Sequence, residues 1–409
     1  MDYAFFNTER MIKMRCTRKV SEDIIWVGAD NRRQSLFEAV YPVPRGMAYN
    51  SYLILDEKCT LIDTVDRAVT DTFLENVEAT LSGRSLDYLV VQHMEPDHSA
   101  TLFDVLSRYP DCTVVCNAKT YAMISAFKNK EVKAHIVADG DSLSLGKHNL
   151  KFIFAPMVHW PEVMVSYDTA TGTLFSADAF GLFGSLGGAL FSDEVDFDRD
   201  YLDEARRYYC NIVGKYGAQV QSLLKKAKAL DVKTLCPLHG FVWRKNIDYI
   251  VNKYLLWSAY QPEKQGVMIA YASVYGNTEK IANVLACRLF ELGVKCALYD
   301  VSTTEPSHII SESFKYSHLV FASVTYNGGA FSLMEHLLSD IVAHGLKGRK
   351  IALIENGSWS SSAARRMREI LSPMKDSTFI FNDIGFKSAM HTDEENQIEG
   401  LATLIASTI

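Results

Sequence analysis

Two rhythms of apolar and polar positions follow one another along this chain. Over the first 258 residues short β-type runs dominate: YLILDE (52–57), CTLIDTV (59–65), LDYLVVQH (86–93), CTVVCNA (112–118), LKFIFAPMVH (150–159), TLFSADAF (173–180) and KTLCPLHG (233–240). Runs of this length between turn residues predict buried strands. Helical spacing appears between them, over 69–82, 100–108 and 201–229. From residue 267 the rhythm changes to strands alternating with amphipathic helices. VMIAYA (267–272) leads into a helix from Thr278 with Ile281, Val284, Leu285 and Leu289 on one face. KCALYDV, HLVFASV, KIALIEN and TFIFNDIGF follow, with helices between them. Five strands in a βαβ rhythm predict a doubly wound parallel five-stranded sheet. The polar stretch SAYQPEKQG (258–266), with Pro262, divides the chain into expected domains of 1–258 and 266–409.

Composition narrows the class. A chain of 409 residues exceeds one ordinary core, so two domains are expected. A net charge of -7 without a basic block excludes a nucleic-acid surface. No run reaches the roughly 18 apolar residues of a membrane span, and the N-terminal residues lack the apolar region of a secretory signal. The eight cysteines form no Cys-x-x-Cys pair, which argues against a zinc ribbon, a rubredoxin-type iron site or a thioredoxin motif. They read as reduced packing residues of a cytoplasmic protein.

The chemistry concentrates in seven residues. His93, Glu95, Asp97 and His98 crowd into HMEPDH, while His159, Asp178 and His239 each stand at the end of a later apolar run. Strand ends present side chains to a common crevice. Pro96 disfavours helix at Glu95, so the motif is expected as an extended loop projecting 93, 95 and 97 to one side, with His98 completing the turn. Four imidazoles and three carboxylates suit transition metals of intermediate hardness and exceed what one ion uses. Two ions sharing one carboxylate are therefore expected. Each residue has a structural reading when taken singly; together, in this order, they do not. Asp63, Asp139, Asp141, His135 and His148 lie on turn-rich or charged stretches and have no place in the motif, and Trp160 and Glu162 are expected to shape the loop around His159.

The pattern His-x-x-x-Asp-His followed by isolated His, Asp and His resembles the metallo-β-lactamase superfamily, which implies an αββα sandwich with a two-metal cleft. The hydrolases of that superfamily carry histidine where this chain has Glu95. The added carboxylate favours iron over zinc, and zinc has no accessible redox step.

After VMIAYA comes Ser273-Val274-Tyr275-Gly276-Asn277-Thr278 at a helix start, a ready anion site. It lacks the Walker lysine and a Gly-x-Gly-x-x-Gly pattern. It is similar to the phosphate loop of flavodoxins. Two further loops, Ser323-Val324-Thr325-Tyr326-Asn327-Gly328-Gly329 and Asn356-Gly357-Ser358-Trp359, follow the third and fourth strands, where a mononucleotide ring is expected. Tyr326 and Trp359 would flank the isoalloxazine, although ENGSWS departs from the aromatic loop common in that fold.

A lactamase-like di-metal half joined to a flavodoxin-like half resembles the flavodiiron proteins (A-type flavoproteins) over nearly the whole chain. The resemblance implies His93, Glu95 and His159 on one iron, Asp97, His98 and His239 on the other, and Asp178 bridging. It also implies FMN on the three loops, and reduction of dioxygen to water, nitric oxide to nitrous oxide, or both. A separate electron donor is expected (a rubredoxin, ferredoxin or flavin reductase), as is a head-to-tail homodimer, or a dimer of dimers, that brings FMN beside the partner's irons. Two alternatives remain: a zinc hydrolase fused to a flavodoxin-like module, and an electron-carrying flavoprotein whose first half is a docking module.

Overall fold

A computed structural model describes residues 15–128 and 131–409; the N-terminal segment read above as non-secretory lies outside them. The residues group into two units, each considered by itself. The first comprises the chain up to Ala39, Val43–Asp196 and Leu230–Ile247; the second comprises Val40–Pro42, Phe197–Ala229 and Asp248–Ile409.

In the first unit the short apolar runs become strands of two sheets. One sheet runs Arg18–Lys19, Ile24–Trp26, Tyr52–Ile54, Thr60–Ile62, Tyr88–Val90, Thr113–Cys116 and Ala134–Ile136, antiparallel to Thr60–Ile62 and parallel beyond it. The other is the meander Ser142–Ser144, Asn149–Phe154, Met164–Asp168 and Thr173–Phe175, closed by Thr234–Cys236 parallel to the last. Leu53, Leu61, Leu89, Val114, Leu150 and Phe152 have no exposed surface. The sheets meet where the Tyr52 ring lies 5.4 Å from Phe175 and the Tyr52 hydroxyl donates to the Pro237 carbonyl at 2.7 Å. Two apolar faces packed together give the expected sandwich. Asn50 donates to the carbonyls of Pro237 and Gly240, both at 2.8 Å, which fixes the segment carrying His239.

The second unit holds the parallel sheet in the order Cys296–Asp300, Lys264–Ala272, Tyr316–Tyr326, Lys350–Asn356 and Thr378–Phe379. This is the flavodoxin-like order, with its switch point beside Lys264–Ala272. The predicted helix forms at Asn277–Glu291 and buries Ile281, Leu285 and Leu289 against Val267, Val320 and Ile354. Two details depart from the sequence pattern. TFIFNDIGF is two short strands, Thr378–Phe379 and Ile384–Phe386, both paired with Lys350–Asn356. The expected loop at 323 is strand as far as Tyr326, then turns at Asn327 (φ 50°) and Gly328 (φ 77°) into Gly329–Ala330. An Asn-Gly pair supplies the two positive φ angles of a tight hairpin.

The single helix expected over 201–229 is broken. Leu202–Tyr208 passes through a π-helical turn, Tyr209–Val213, before Gly217–Ala227. The wider turn lets Tyr209 reach the rings of Tyr254 at 4.9 Å and Trp257 at 5.3 Å. The polar stretch 258–266 is locked within this unit. Glu263 accepts from Arg206, from Lys253 at 2.9 Å and from Trp257 at 2.8 Å, and Arg349 donates to the Tyr260 carbonyl at 2.6 Å. Among the described residues no helix is long and apolar enough to cross a membrane.

Candidate metal centre and flavin loops

Each metal-ligating candidate stands just beyond a strand of the first unit. His93 and its neighbours follow Tyr88–Val90 in one sheet; His159, Asp178 and His239 follow Asn149–Phe154, Thr173–Phe175 and Thr234–Cys236 in the other. The HMEPDH motif is only partly extended. Glu95 is extended (φ -56°, ψ 137°), but Pro96–Ser99 is a helical turn, so Asp97 and His98 project from a helix start. Proline fits the first helical position because it has no N–H to leave unsatisfied there. The extended-loop expectation therefore holds for Glu95 and is corrected for Asp97, while His98 lies in a turn, as expected.

The seven side chains meet in two buried groups: His93, Glu95, His159 and Asp178, and Asp97, His98 and His239. In the first, Glu95 Oε2 lies 3.2 Å from His93 Nε2 and 2.9 Å from His159 Nε2. In the second, Asp97 Oδ2 lies 3.2 Å from His98 Nε2 and 3.1 Å from His239 Nε2. Asp178 belongs to both. Its Oδ2 is 3.1 Å from His93 Nε2 and 3.2 Å from His159 Nε2, while its Oδ1 is 3.1 Å from His98 Nε2 and 3.7 Å from His239 Nε2.

The donor set demands cations. Buried polar atoms almost always find partners. Yet both Asp97 carboxylate oxygens, Asp178 Oδ1 and both His98 nitrogens are buried without a hydrogen-bond partner. Burial alone would raise the Asp178 carboxyl, but the facing His93 and His98 imidazoles hold it well below the carboxylate range. Burial opposes charge on His159 as well, and Asp178 and Glu95 nevertheless push it up to about 9. Ionised carboxylates that favour positive charge on the facing imidazoles favour a cation among them by the same attraction. Each group could hold a metal ion, and Asp178 faces both.

The flavin candidates lie at the carboxyl edge of the parallel sheet in the second unit. Asn277–Glu291 begins at Gly276 (φ 91°) without a side-chain cap, leaving first-turn N–H groups for an anion. Gly276 N donates to Ser273 Oγ at 3.1 Å, which curls the loop, and Thr278 is buried. Tyr275 and Trp359 are 94% and 90% exposed and Tyr326 is 46% exposed, an unusual density of bare aromatic surface. Several of the candidate residues also bond within the framework. Ser323 Oγ accepts from Phe331 N at 3.0 Å, Thr325 Oγ1 from Ser362 N at 3.0 Å, and Asn356 exchanges bonds with the Ser388 backbone at 2.8 and 3.1 Å. Ser358 Oγ accepts from Ser388 Oγ at 2.8 Å. The segment after Ile384–Phe386 thus joins these loops, a participant the sequence reading missed.

Comparison with known proteins agrees with this architecture. Residues 47–240 match the family described as "ODP family beta lactamase". The chain is 30% identical over 394 residues to the anaerobic nitric oxide reductase flavorubredoxin of Vibrio vulnificus, covering 94% of this chain and 77% of that protein. It is 31% identical to the nitric oxide reductase of Moorella thermoacetica, with 87% and 90% coverage. Among solved structures, rubredoxin oxygen:oxidoreductase from Desulfovibrio gigas superposes with a TM-score of 0.90 at 28% identity, over 96% of this chain and 98% of that one. The flavodiiron protein from Giardia intestinalis superposes with the same TM-score at 25% identity. The chain belongs to the flavodiiron protein family.

Around the metal groups of this flavodiiron protein stand residues that the motif did not announce. Asp63, set aside above, is fully buried and accepts from Gln92 N at 2.7 Å and Gln92 Nε2 at 3.0 Å, anchoring the backbone that enters the motif. Burial pushes its carboxyl up to about 6. Glu162 was expected to shape the loop around His159; it bonds His93 Nδ1 at 2.8 Å and Met94 N at 2.9 Å instead. An acidic residue directly before the apolar run Val163-Met164-Val165 was the available signal. His239 Nδ1 donates to the Ala48 carbonyl at 2.8 Å, a contact no sequence pattern reveals. Asp139 accepts from Phe154 N, Asp141 from Ala138 N, and His148 pairs with Asp168, all outside the metal groups.

Proposed function

We propose that this flavodiiron protein reduces dioxygen to water, nitric oxide to nitrous oxide, or both, at two irons fed by FMN. The observation that carries this reading is the divided carboxylate of Asp178, with one oxygen facing each group of ligands. His93, Glu95 and His159 would hold one iron, and Asp97, His98 and His239 the other. When bound, paired irons supply two electrons at one place, and FMN carries electrons to them from a donor. The chain's own part is geometric and electrostatic. Glu95 and Asp97 each add anionic oxygen to one position, favouring a metal that changes oxidation state over zinc. The uncapped helix start at 273–278 offers N–H groups to the FMN phosphate. The 323–329 and 356–359 loops offer Tyr326 and Trp359 to the flavin ring.

On this reading residues 1–258 carry the metal centre and 266–409 the flavin, in a cytoplasmic protein. A separate rubredoxin, ferredoxin or flavin reductase supplies electrons. A head-to-tail homodimer, alone or paired into a tetramer, brings each FMN to its partner's irons. Sedimentation that finds an active monomer would remove that route. The deciding experiment reduces the protein anaerobically and exposes it separately to O2 and NO, with metal content and flavin spectrum taken on the same sample. Two irons, bound FMN and consumption of at least one gas are expected. Consumption of neither gas sinks the proposal, and two zincs with hydrolytic activity would replace it.

A further inference from the structure

The two metal positions differ in what stands behind their histidines. An imidazole facing a metal through Nε2 is a stronger donor when its Nδ1–H is bonded to a carboxylate than to a neutral carbonyl. His239 is backed by the Ala48 carbonyl at 2.8 Å, and His98 Nδ1 is buried with no partner. His93 alone of these three is backed by a carboxylate, Glu162, at 2.8 Å.

Glu162 is a specialised neighbour. It is 1% exposed, and its Oε1 takes both His93 Nδ1–H and Met94 N–H, so one oxygen sets the ring and the backbone beside it. Its Oε2 is buried without a partner, and among the described residues no lysine or arginine pairs with it. Its charge is therefore spent on His93. Each metal position already has one carboxylate of its own and half of Asp178. Glu162 is a further carboxylate, bonded to a histidine of the first position and to none of the second.

We propose that Glu162 is a positioning residue that makes the metal pair electronically unequal, with the His93–Glu95–His159 position the more electron-rich and the first to be oxidised. This rests on the iron reading above. The test compares Glu162→Gln, which keeps an oxygen acceptor and removes the charge, with Glu162→Asp, which keeps the charge. In an EPR-monitored redox titration of the iron-loaded protein, Glu162→Gln should raise the lower of the two one-electron midpoint potentials and leave the upper in place. Glu162→Asp should retain the wild-type separation. Chelator competition with Co2+ should show one of two sites weakened ~10–100-fold in Glu162→Gln and the other unchanged. Both potentials fixed, both moving together, or both sites weakened alike would overturn the proposal, as would a separation lost equally in Glu162→Asp. Should Glu162→Gln fail to fold, Glu162→Asn, which removes the same charge with a shorter amide, is titrated by the same criterion. A protein that consumes neither gas but shows the one-sided cobalt change upholds Glu162 and removes the functional reading; gas consumption with equal changes at both sites does the reverse.

Discussion

Asp178 shows how a single residue joins two groups of ligands. Outer-layer changes at metal sites already cost ~10–100-fold in metal affinity, so Asp178→Ala is expected to lose more than that at both positions, read as iron per chain after dialysis against a chelator. The seven candidate ligands were legible because imidazoles and carboxylates at the ends of apolar runs are costly unless used. Asp63, Glu162 and the Ala48 carbonyl were not, because their roles depend on contacts made only after the sheets pack. His148 illustrates the opposite outcome. Its Nδ1 lies 2.8 Å from Asp168, whose oxygens also accept from Thr171 and the Ala170 backbone. The Asp168 hydrogen bond raises the His148 pKa, against burial. Burial would raise Asp168, but His148 and Thr171 lower it overall. A raised histidine stabilises fully below its unfolded value of about 6.5 and loses that contribution as pH rises through the folded value; a lowered aspartate stabilises above about 3.9 and loses it as pH falls. The pair should stabilise most between about pH 4 and pH 6.5. Urea midpoints of the metal-free wild-type and His148→Asn proteins should differ most in that window and converge as pH rises. A difference independent of pH would refute the assignment.

At the scale of elements, period and turn chemistry predicted what forms, and packing decided where it breaks. Asn277–Glu291 emerged with its apolar face as read. The π turn at Tyr209–Val213 did not, because nothing in helical spacing distinguishes a wide turn that seats Tyr209 between two aromatic rings. The helical turn at Pro96–Ser99 opens on a proline that suits the first helical position, while the preference for extended backbone before proline reaches only Glu95. The loop bearing Trp359 is fixed by a close approach. A Cβ on Gly357 would lie 2.1 Å from the Ser360 carbonyl oxygen, so the loop must shift to admit one. Gly357→Ala is expected to weaken FMN binding by about tenfold or more, ~1.4 kcal/mol, measured by quenching of flavin fluorescence on titration into the apoprotein. Unchanged binding would place the flavin ring elsewhere.

At the scale of the whole molecule, the sequence showed two rhythms with a polar stretch between them, and composition located the change of rhythm. It did not reveal that 197–229 and 248–258 pack with the C-terminal sheet, because that depends on Arg206, Tyr209 and Trp257 finding partners far along the chain. Glu263 is the clearest such partner. Removing one member of a buried ion pair strands the other, at a cost of about 3–5 kcal/mol. Glu263→Ala should therefore lower the urea midpoint of the second unit sharply, read by circular dichroism; a change within the range of ordinary surface substitutions would show the pair to be dispensable. The interleaved path has one more result. The first unit is not finished when its two sheets are nearly complete at Asp196, since Leu230–Ile247, with Thr234–Cys236 and His239, arrives only after a segment belonging to the other unit. A chain emerging from the ribosome thus exposes six of the seven ligands before the last exists. Lasting metal capture by the Asp97–His98–His239 group must wait until the second sheet gains its parallel edge, which ties completion of the paired centre to a late, non-local folding event.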